Sequence, residues 1–171
     1  TIVCLSEESF YIISAGAWTE YDSDYLQKSL ADSKLNSVNI YDCTNQWGVF
    51  SIAGPNSRIF LKKIVVSEDP DKTLSNKEFP WLSYRDIEIG MCPVRALRVA
   101  YTGELGWELH HPIEMQNYLL DILLSAGEEF DIKLVGARAQ NWLRQEKSLK
   151  MVKKLLLLQE FLLVKLEQPT P

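Results

Sequence analysis

Two glutamates four residues apart, Glu104 and Glu108, lie in the stretch VAYTGELGWELHHP and are the first candidates for chemistry. A carboxylate pair shares general acid and base work only when both groups converge on one reacting atom. Strand alternation over Gly106 to His110 puts Trp107 and Leu109 on one face and Glu108 with His110 on the other, while Glu104 falls in the turn Thr102-Gly103-Glu104. Glu108 is therefore a carboxylate lying opposite a hydrophobic pair, and Glu104 reads as solvated turn surface. His110 and His111 alternate faces and no third histidine exists, so a histidine metal site is not predicted. Cys43 and Cys92 show no pattern that lowers a thiol pKa and read as small buried hydrophobes. Ser14-Ala15-Gly16 follows a strand and precedes a helix without GxGxxG spacing, which disfavours a dinucleotide and leaves a tight backbone approach to another ligand. On a late helix, Arg138 could fork to a carboxylate, whereas Arg144, close to Glu146 and Lys147, reads as part of a solvated face.

The elements that must position these groups alternate between two periods. Ile2 to Leu5 and Phe10 to Ser14 read as a hairpin around SEES, and Thr19 to Lys34 as an amphipathic helix with Glu20, Asp22 and Asp24 early, where the helix dipole favours acids. Val38 to Cys43 and Trp47 to Ala53 read as strands, Gly54-Pro55 ends the second with Pro at a helix N1 position, and Asn56 to Val66 is a helix. Ser67 to Ser83 is rich in turn formers and reads as a surface connection anchored by Phe79 and Trp81. Asp86 to Met91, Val94 to Tyr101 and Gly106 to His110 form an antiparallel set. Pro112 opens a helix stopped by Gly127, Ile132 to Val135 is strand-like, and Gly136 to Lys147 is a helix. This order predicts an α+β fold, antiparallel sheets with helices packed on them. From Leu149 to Leu166 the leucines are denser than a two-faced helix requires, and a helix apolar nearly all round must be buried.

The chain has 171 residues, of which 46% are hydrophobic, enough for a sizeable core. Eighteen basic against 23 acidic residues give a net charge of -5 with no Lys/Arg block, which argues against nucleic acid. No apolar stretch approaches the roughly 18 to 20 residues that span a bilayer, so no membrane partner is predicted. Three widely spaced cysteines suggest neither a disulfide framework nor a metal motif and fit a reducing compartment. No secretory signal pattern opens the sequence.

Three motifs carry a resemblance: SIAGPNSR, RVAYTGELGWELHHP and VGARAQNWLRQEKS, in this order and at these separations. Together they resemble the folate-binding module of the glycine-cleavage T-protein (aminomethyltransferase) family, more closely the C-terminal half of dimethylglycine and sarcosine dehydrogenases. The likeness runs from about Thr1 to Ser148. It implies ferredoxin-like subdomains, with 1–46 belonging to a first folate-binding α/β subdomain, 47–148 to a second, and 149–171 forming an atypical leucine-rich tail. It also implies a cofactor, tetrahydrofolate, whose pterin is held by Glu108 rather than Glu104. Tyr101 matches the family's folate-contacting tyrosine, Arg138 the arginine after VGA, Leu109 and His110 the backbone beside the anchor, and Ser14, Ala15 and Gly16 a further folate-contacting turn. A pterin presents a ring N–H beside an exocyclic amine, two donors that one carboxylate accepts together.

The family reaction transfers a one-carbon unit from a small methylated amine to tetrahydrofolate, giving methylenetetrahydrofolate. The resemblance implies that the catalytic aspartate falls before Thr1, so the sequence is expected to be a fragment with no catalytic residue of its own. A flavin half carrying FAD, in the same polypeptide or as a subunit, is expected to be missing from the N-terminal side. A bacterial cytoplasmic or mitochondrial-matrix location is expected, not secretion. Two other readings compete: a non-catalytic regulatory or interaction module with a vestigial folate pocket, and an unrelated binding domain in which TGELGWEL is a coincidental hairpin.

Overall fold

The computed structural model describes residues 1–35 and 37–149, together with the backbone of residues 162–165. Two compact units divide at Thr44 and Asn45. In the first, strands β1 (Ile2–Ser6) and β2 (Ser9–Ile12) form an antiparallel hairpin. Ile2 faces Ile12 and Cys4 faces Phe10 across it on one face, where Ile2, Phe10 and Ile12 are exposed, while Val3 faces Tyr11 on the other, half-buried face. A 3-10 turn at Gly16–Trp18 leads into α1 (Thr19–Ser33), which ends where Lys34 takes a left-handed conformation, φ 57°. Glu20 and Asp22 occupy its first turn, and Asp24 accepts from Lys28 one turn on at 2.7 Å. The helix stands where its periodicity predicts, but Tyr21 and Tyr25 are exposed rather than packed. The strand expected over Val38 to Cys43 does not form. That segment is irregular and Tyr41 is 80% exposed, because alternation without a pairing partner leaves the backbone ladder unmade.

The second unit is built on a six-stranded sheet. Its strands are β3 (Trp47–Ala53), β4 (Tyr84–Ile89), β5 (Cys92–Leu97), β6 (Gly106–Pro112), β7 (Lys133–Val135) and β8 (Leu162–Lys165), in the order β4-β5-β6-β3-β8-β7. Neighbours are antiparallel except β3 and β8, which run parallel. The helices are α2 (Ser57–Ile64), the short α3 (Pro70–Thr73), α4 (Gln116–Gly127) and α5 (Ala137–Glu146). Antiparallel sheet and helix together make the fold α+β.

Register explains where the core sits. Phe50 lies opposite Leu109 and Ile52 opposite Trp107, so these four share one sheet face with Ala96, Val94, Ile87 and Ile89. Phe60 and Leu61 from α2, Leu119 and Leu123 from α4, and Leu74 and Phe79 from the connection join the same buried cluster. Leu119 and Leu123 recur at i and i+4, the spacing that gives a helix one apolar stripe. The guanidinium groups of Arg58 and Arg98 lie 5.7 and 5.8 Å from the centre of the Trp107 ring. Gly106 is required at its place, since a Cβ there would come within 2.5 Å of the Ile52 carbonyl oxygen. Next to it, the Gly54 N–H donates to the Leu105 carbonyl at 2.8 Å and the buried Ser57 hydroxyl reaches the Gly54 and Leu105 carbonyls.

Several boundaries differ from the sequence expectation for local reasons. Pro55 precedes α2 by two residues instead of opening it, the cap position being Asn56. The connection 67–83 contains α3, capped by the Asp69 side chain accepting from the Lys72 N–H at 2.9 Å. Of the aromatic pair expected to anchor it, Phe79 is buried and Trp81 is 71% exposed. Between Pro112 and α4 comes a 3-10 turn, Ile113–Met115. Within the leucine-dense segment expected as a helix, Leu162–Lys165 is a strand added along β3, where its backbone groups join an existing ladder. The rest of that segment beyond Leu149 lies outside the described residues.

Candidate functional site

The sheet face turned away from the core carries the polar groups. Across β5, β6 and β3, Leu97, Glu108 and Ser51 stand in one row, and Arg95, His110 and Val49 in the next. Side chains directly opposite on neighbouring strands sit about 5 Å apart at Cβ, so each row is a line of contact. Tyr84 continues the first row and Asp86 the second on β4. Arg95 donates to Asp86 through Nε at 3.0 Å, and its guanidinium lies over the rings of Tyr84 and Trp47 at 5.8 and 5.6 Å. This is an organised polar and aromatic surface on the reverse of an apolar core.

Glu108 sits in its middle. Its side chain keeps 20% exposure, whereas Ser51, Leu97 and His110 around it are buried. His110 Nε2 lies 3.4 Å from Glu108 Oε2, and Oε1 forms no hydrogen bond among the described residues. Such an oxygen can accept from an incoming N–H pair at the edge of a partly dry environment, where a charge-assisted bond outperforms one in open water. Glu104 is different in kind. It occupies the turn in which Gly103 takes φ 73°, and it pairs with Lys147 at 3.0 Å instead of being simply solvated.

His111, on the core face, stacks on Phe50 with ring centres 4.8 Å apart and donates from Nδ1 to the Leu109 carbonyl at 3.0 Å. Burial pushes its imidazole below the usual value, with the carbonyl hydrogen bond opposing this and His110 adding to it. Burial likewise pushes the Cys92 thiol up, with Glu114 adding to the effect, which leaves a poor nucleophile. Cys43 is only half-buried. Among the described residues, no three side chains of the metal-binding types come together.

Tyr101 follows β5 and is half-buried. Its hydroxyl donates to Asn141 Oδ1 at 3.3 Å, and the same oxygen accepts from Arg144 Nε at 2.8 Å. Arg144 lies over the Tyr101 ring at 5.7 Å and donates through Nη1 to the Leu149 carbonyl at 2.7 Å. The sequence expectation for Arg144 is thereby corrected: it is 8% exposed and belongs to a buried network, not a solvated face. Asn141 is a member of that network that the motif reading passes over. The signal available was the i, i+4 pair Gln140 and Arg144, both buried, but a polar stripe looks the same in sequence whether it faces water or protein. Arg138, near the start of α5, is exposed. Leu109 is part of the core and fully buried, on β6 between β5 and β3. Ser14, Ala15 and Gly16 belong to the first unit, between β2 and α1, with Ala15 buried and its two neighbours exposed.

Comparison with known proteins places this architecture in a family. The chain matches the GCVT N-terminal domain over residues 1–155 and belongs to that family. Among curated relatives, mitochondrial dimethylglycine dehydrogenase of Mus musculus is 42% identical over 148 residues, 86% of this chain and 16% of the relative. Mitochondrial sarcosine dehydrogenase of Homo sapiens is 30% identical over 82% of the chain and 15% of its own length. Aminomethyltransferase of Chlorobium limicola is 29% identical over 83% of the chain and 37% of its own length. The resemblance carried by the three sequence motifs is therefore borne out. The chain spans about one-sixth of the length of the dehydrogenases it matches. No helix among the described residues is long and apolar enough to cross a membrane.

Proposed function

We propose that this chain is a tetrahydrofolate-binding module of a larger enzyme that moves a one-carbon unit from an N-methylated amine, such as dimethylglycine, sarcosine or an aminomethyl group on a lipoyl carrier, to the folate. The observation that carries the reading is the Glu108 carboxylate: it stands on the polar face of the sheet, ringed by buried side chains, with one oxygen that accepts no hydrogen bond among the described residues. The chemistry fits a pterin, whose ring N–H and exocyclic amine are parallel donors to a carboxylate. When bound, tetrahydrofolate supplies the nitrogen that accepts the carbon unit. This chain's residues bind and orient it. Glu108 accepts from the pterin edge, Tyr101 is held in place by Asn141 and Arg144, the backbone at Leu109 and His110 lines the strand, and Arg138 supplies an exposed cation for a ligand carboxylate.

On this reading 1–46 and 47–148 are parts of two folate-binding subdomains. The general acid or base for transfer and an FAD-bearing dehydrogenase half belong to other parts of the full enzyme, which operates in the mitochondrial matrix or a bacterial cytoplasm. Isothermal titration with tetrahydrofolate tests the site. Glu108→Ala is expected to weaken binding roughly 10- to 100-fold, the loss of hydrogen bonds to a charged group. Equal affinity in the variant and the parent chain would refute the assignment.

A further inference from the structure

We propose that His110 is a positioning residue for the ligand-binding carboxylate: its imidazole donates from Nε2 to Glu108 Oε2 and turns Oε1 toward the incoming ligand. This rests on the reading of Glu108 as the folate anchor and adds to it a second side chain with a defined protonation pattern. The two residues are i and i+2 on β6, so their side chains leave the same face, and Nε2 lies 3.4 Å from Oε2. An ionised carboxylate oxygen only accepts, so the proton between them must sit on Nε2. His111, one residue on, has the opposite arrangement, because Nδ1 faces the Leu109 carbonyl and must carry the proton there.

The imidazole can hold the carboxylate because it is itself held. Its side chain is 1% exposed, against 20% for Glu108, so the rigid partner steers the mobile one. Arg95 lies opposite His110 on β5 and Val49 opposite it on β3, with Asp86 tying the Arg95 guanidinium on the far side. Arg95 is thus paired with Asp86 through its Nε, on the side of the row away from Glu108. A separation of 3.4 Å is longer than the roughly 2.8 Å of a fully formed charge-assisted bond, and such contacts commonly shorten once the ligand is in place. The gain is preorganisation: one carboxylate rotamer is selected before the ligand arrives.

Two arms test this on the chain as it stands. In titrations with tetrahydrofolate, His110→Phe, which keeps a ring and loses the donor, is expected to weaken binding roughly tenfold. His110→Gln, whose amide can present N–H near the position of Nε2, is expected to restore it to within about threefold of the parent, a recovery that packing alone does not give. Parent-like binding by His110→Phe, or equal losses in the Phe and Gln variants, overturns the proposal while leaving the Glu108 assignment standing. The second arm needs no ligand: long-range nitrogen–proton spectra of the imidazoles should show Nε2–H for His110 and Nδ1–H for His111, and Glu108→Gln should move the His110 Nε2 resonance. An Nδ1–H tautomer at His110, or a resonance indifferent to Glu108→Gln, overturns the pairing. Failure of the parent chain to bind tetrahydrofolate overturns the folate reading and the ligand role of His110 with it, and the imidazole spectra then still decide whether the pair exists.

Discussion

Lowering the pH should destabilise the second unit through one residue, His111. In the folded chain this imidazole is buried against Phe50, its Nδ1 bonded to the Leu109 carbonyl and its Nε2 without a partner among the described residues, and burial depresses its proton affinity. In the unfolded chain it protonates at the ordinary histidine value, 6.5. The unfolded state therefore binds more protons as the pH falls, so the stability His111 supports is present above 6.5 and declines from there until the folded-state value is reached. Whatever the depressed value, the loss is at most about 1.4 kcal/mol at about pH 5.5 and at most ~0.1 kcal/mol at about pH 7.5. The comparison is with His111→Phe, which keeps the stacked ring and cannot titrate. Urea unfolding of both chains across this pH range gives the difference in stability, and every other titrating group is common to the two. The parent should lose ground to the variant on acidification, by no more than about 1.4 kcal/mol at about pH 5.5. A difference that does not change with pH would refute the argument from burial.

Other substitutions probe other parts of the structure. Gly106→Ala places a methyl group against the Ile52 carbonyl oxygen and should cost about 1–3 kcal/mol in urea unfolding; a change below about 0.5 kcal/mol would show that the strands separate freely there. Arg144→Met keeps most of the volume but removes the donors to Asn141 and Leu149, and should cost about 2–3 kcal/mol, against near-neutrality if the guanidinium were simply solvated. Glu104→Gln breaks the ion pair with Lys147 and should change stability by less than about 1 kcal/mol and leave tetrahydrofolate titrations unchanged; a loss matching that of Glu108→Ala would mean the wrong glutamate has been assigned.

Much of the second unit was legible because its signals are local. Alternation in GWELHH separates Glu108 from Trp107 and Leu109, and the β3–β6 register places them on opposite faces as the period of two requires. What escaped depended on partners distant in sequence. Val38 to Cys43 has the composition of a strand and no pairing partner among the described residues, while Leu162–Lys165 looks like a surplus of leucine until β3 supplies its ladder. Hydropathy also misleads on α5, where Gln140 and Arg144 are buried and Trp142 is 68% exposed, because hydrogen bonds rather than apolar contact hold the inward side. At the candidate site the strand face on which Glu108 stands could be read from sequence, but not its neighbours Arg95 and Ser51. They come from other strands, and only the register brings them beside β6.

The place of β3 has a consequence for the order of assembly. Both strands that flank it, β6 and β8, follow it along the chain, so during synthesis β3 emerges with two unpaired edges and with Phe50 and Ile52 uncovered. Helix α2, the next element made, is the first able to cover the apolar face, but it leaves both backbone edges open. The growing chain thus carries a strand competent for intermolecular pairing: return of the β4–β5–β6 meander closes one edge, and the other stays open until β8 has been made. Substitutions that slow that return, such as those at Gly106 where β6 enters, should reduce soluble yield more than the equilibrium stability of the finished fold would suggest.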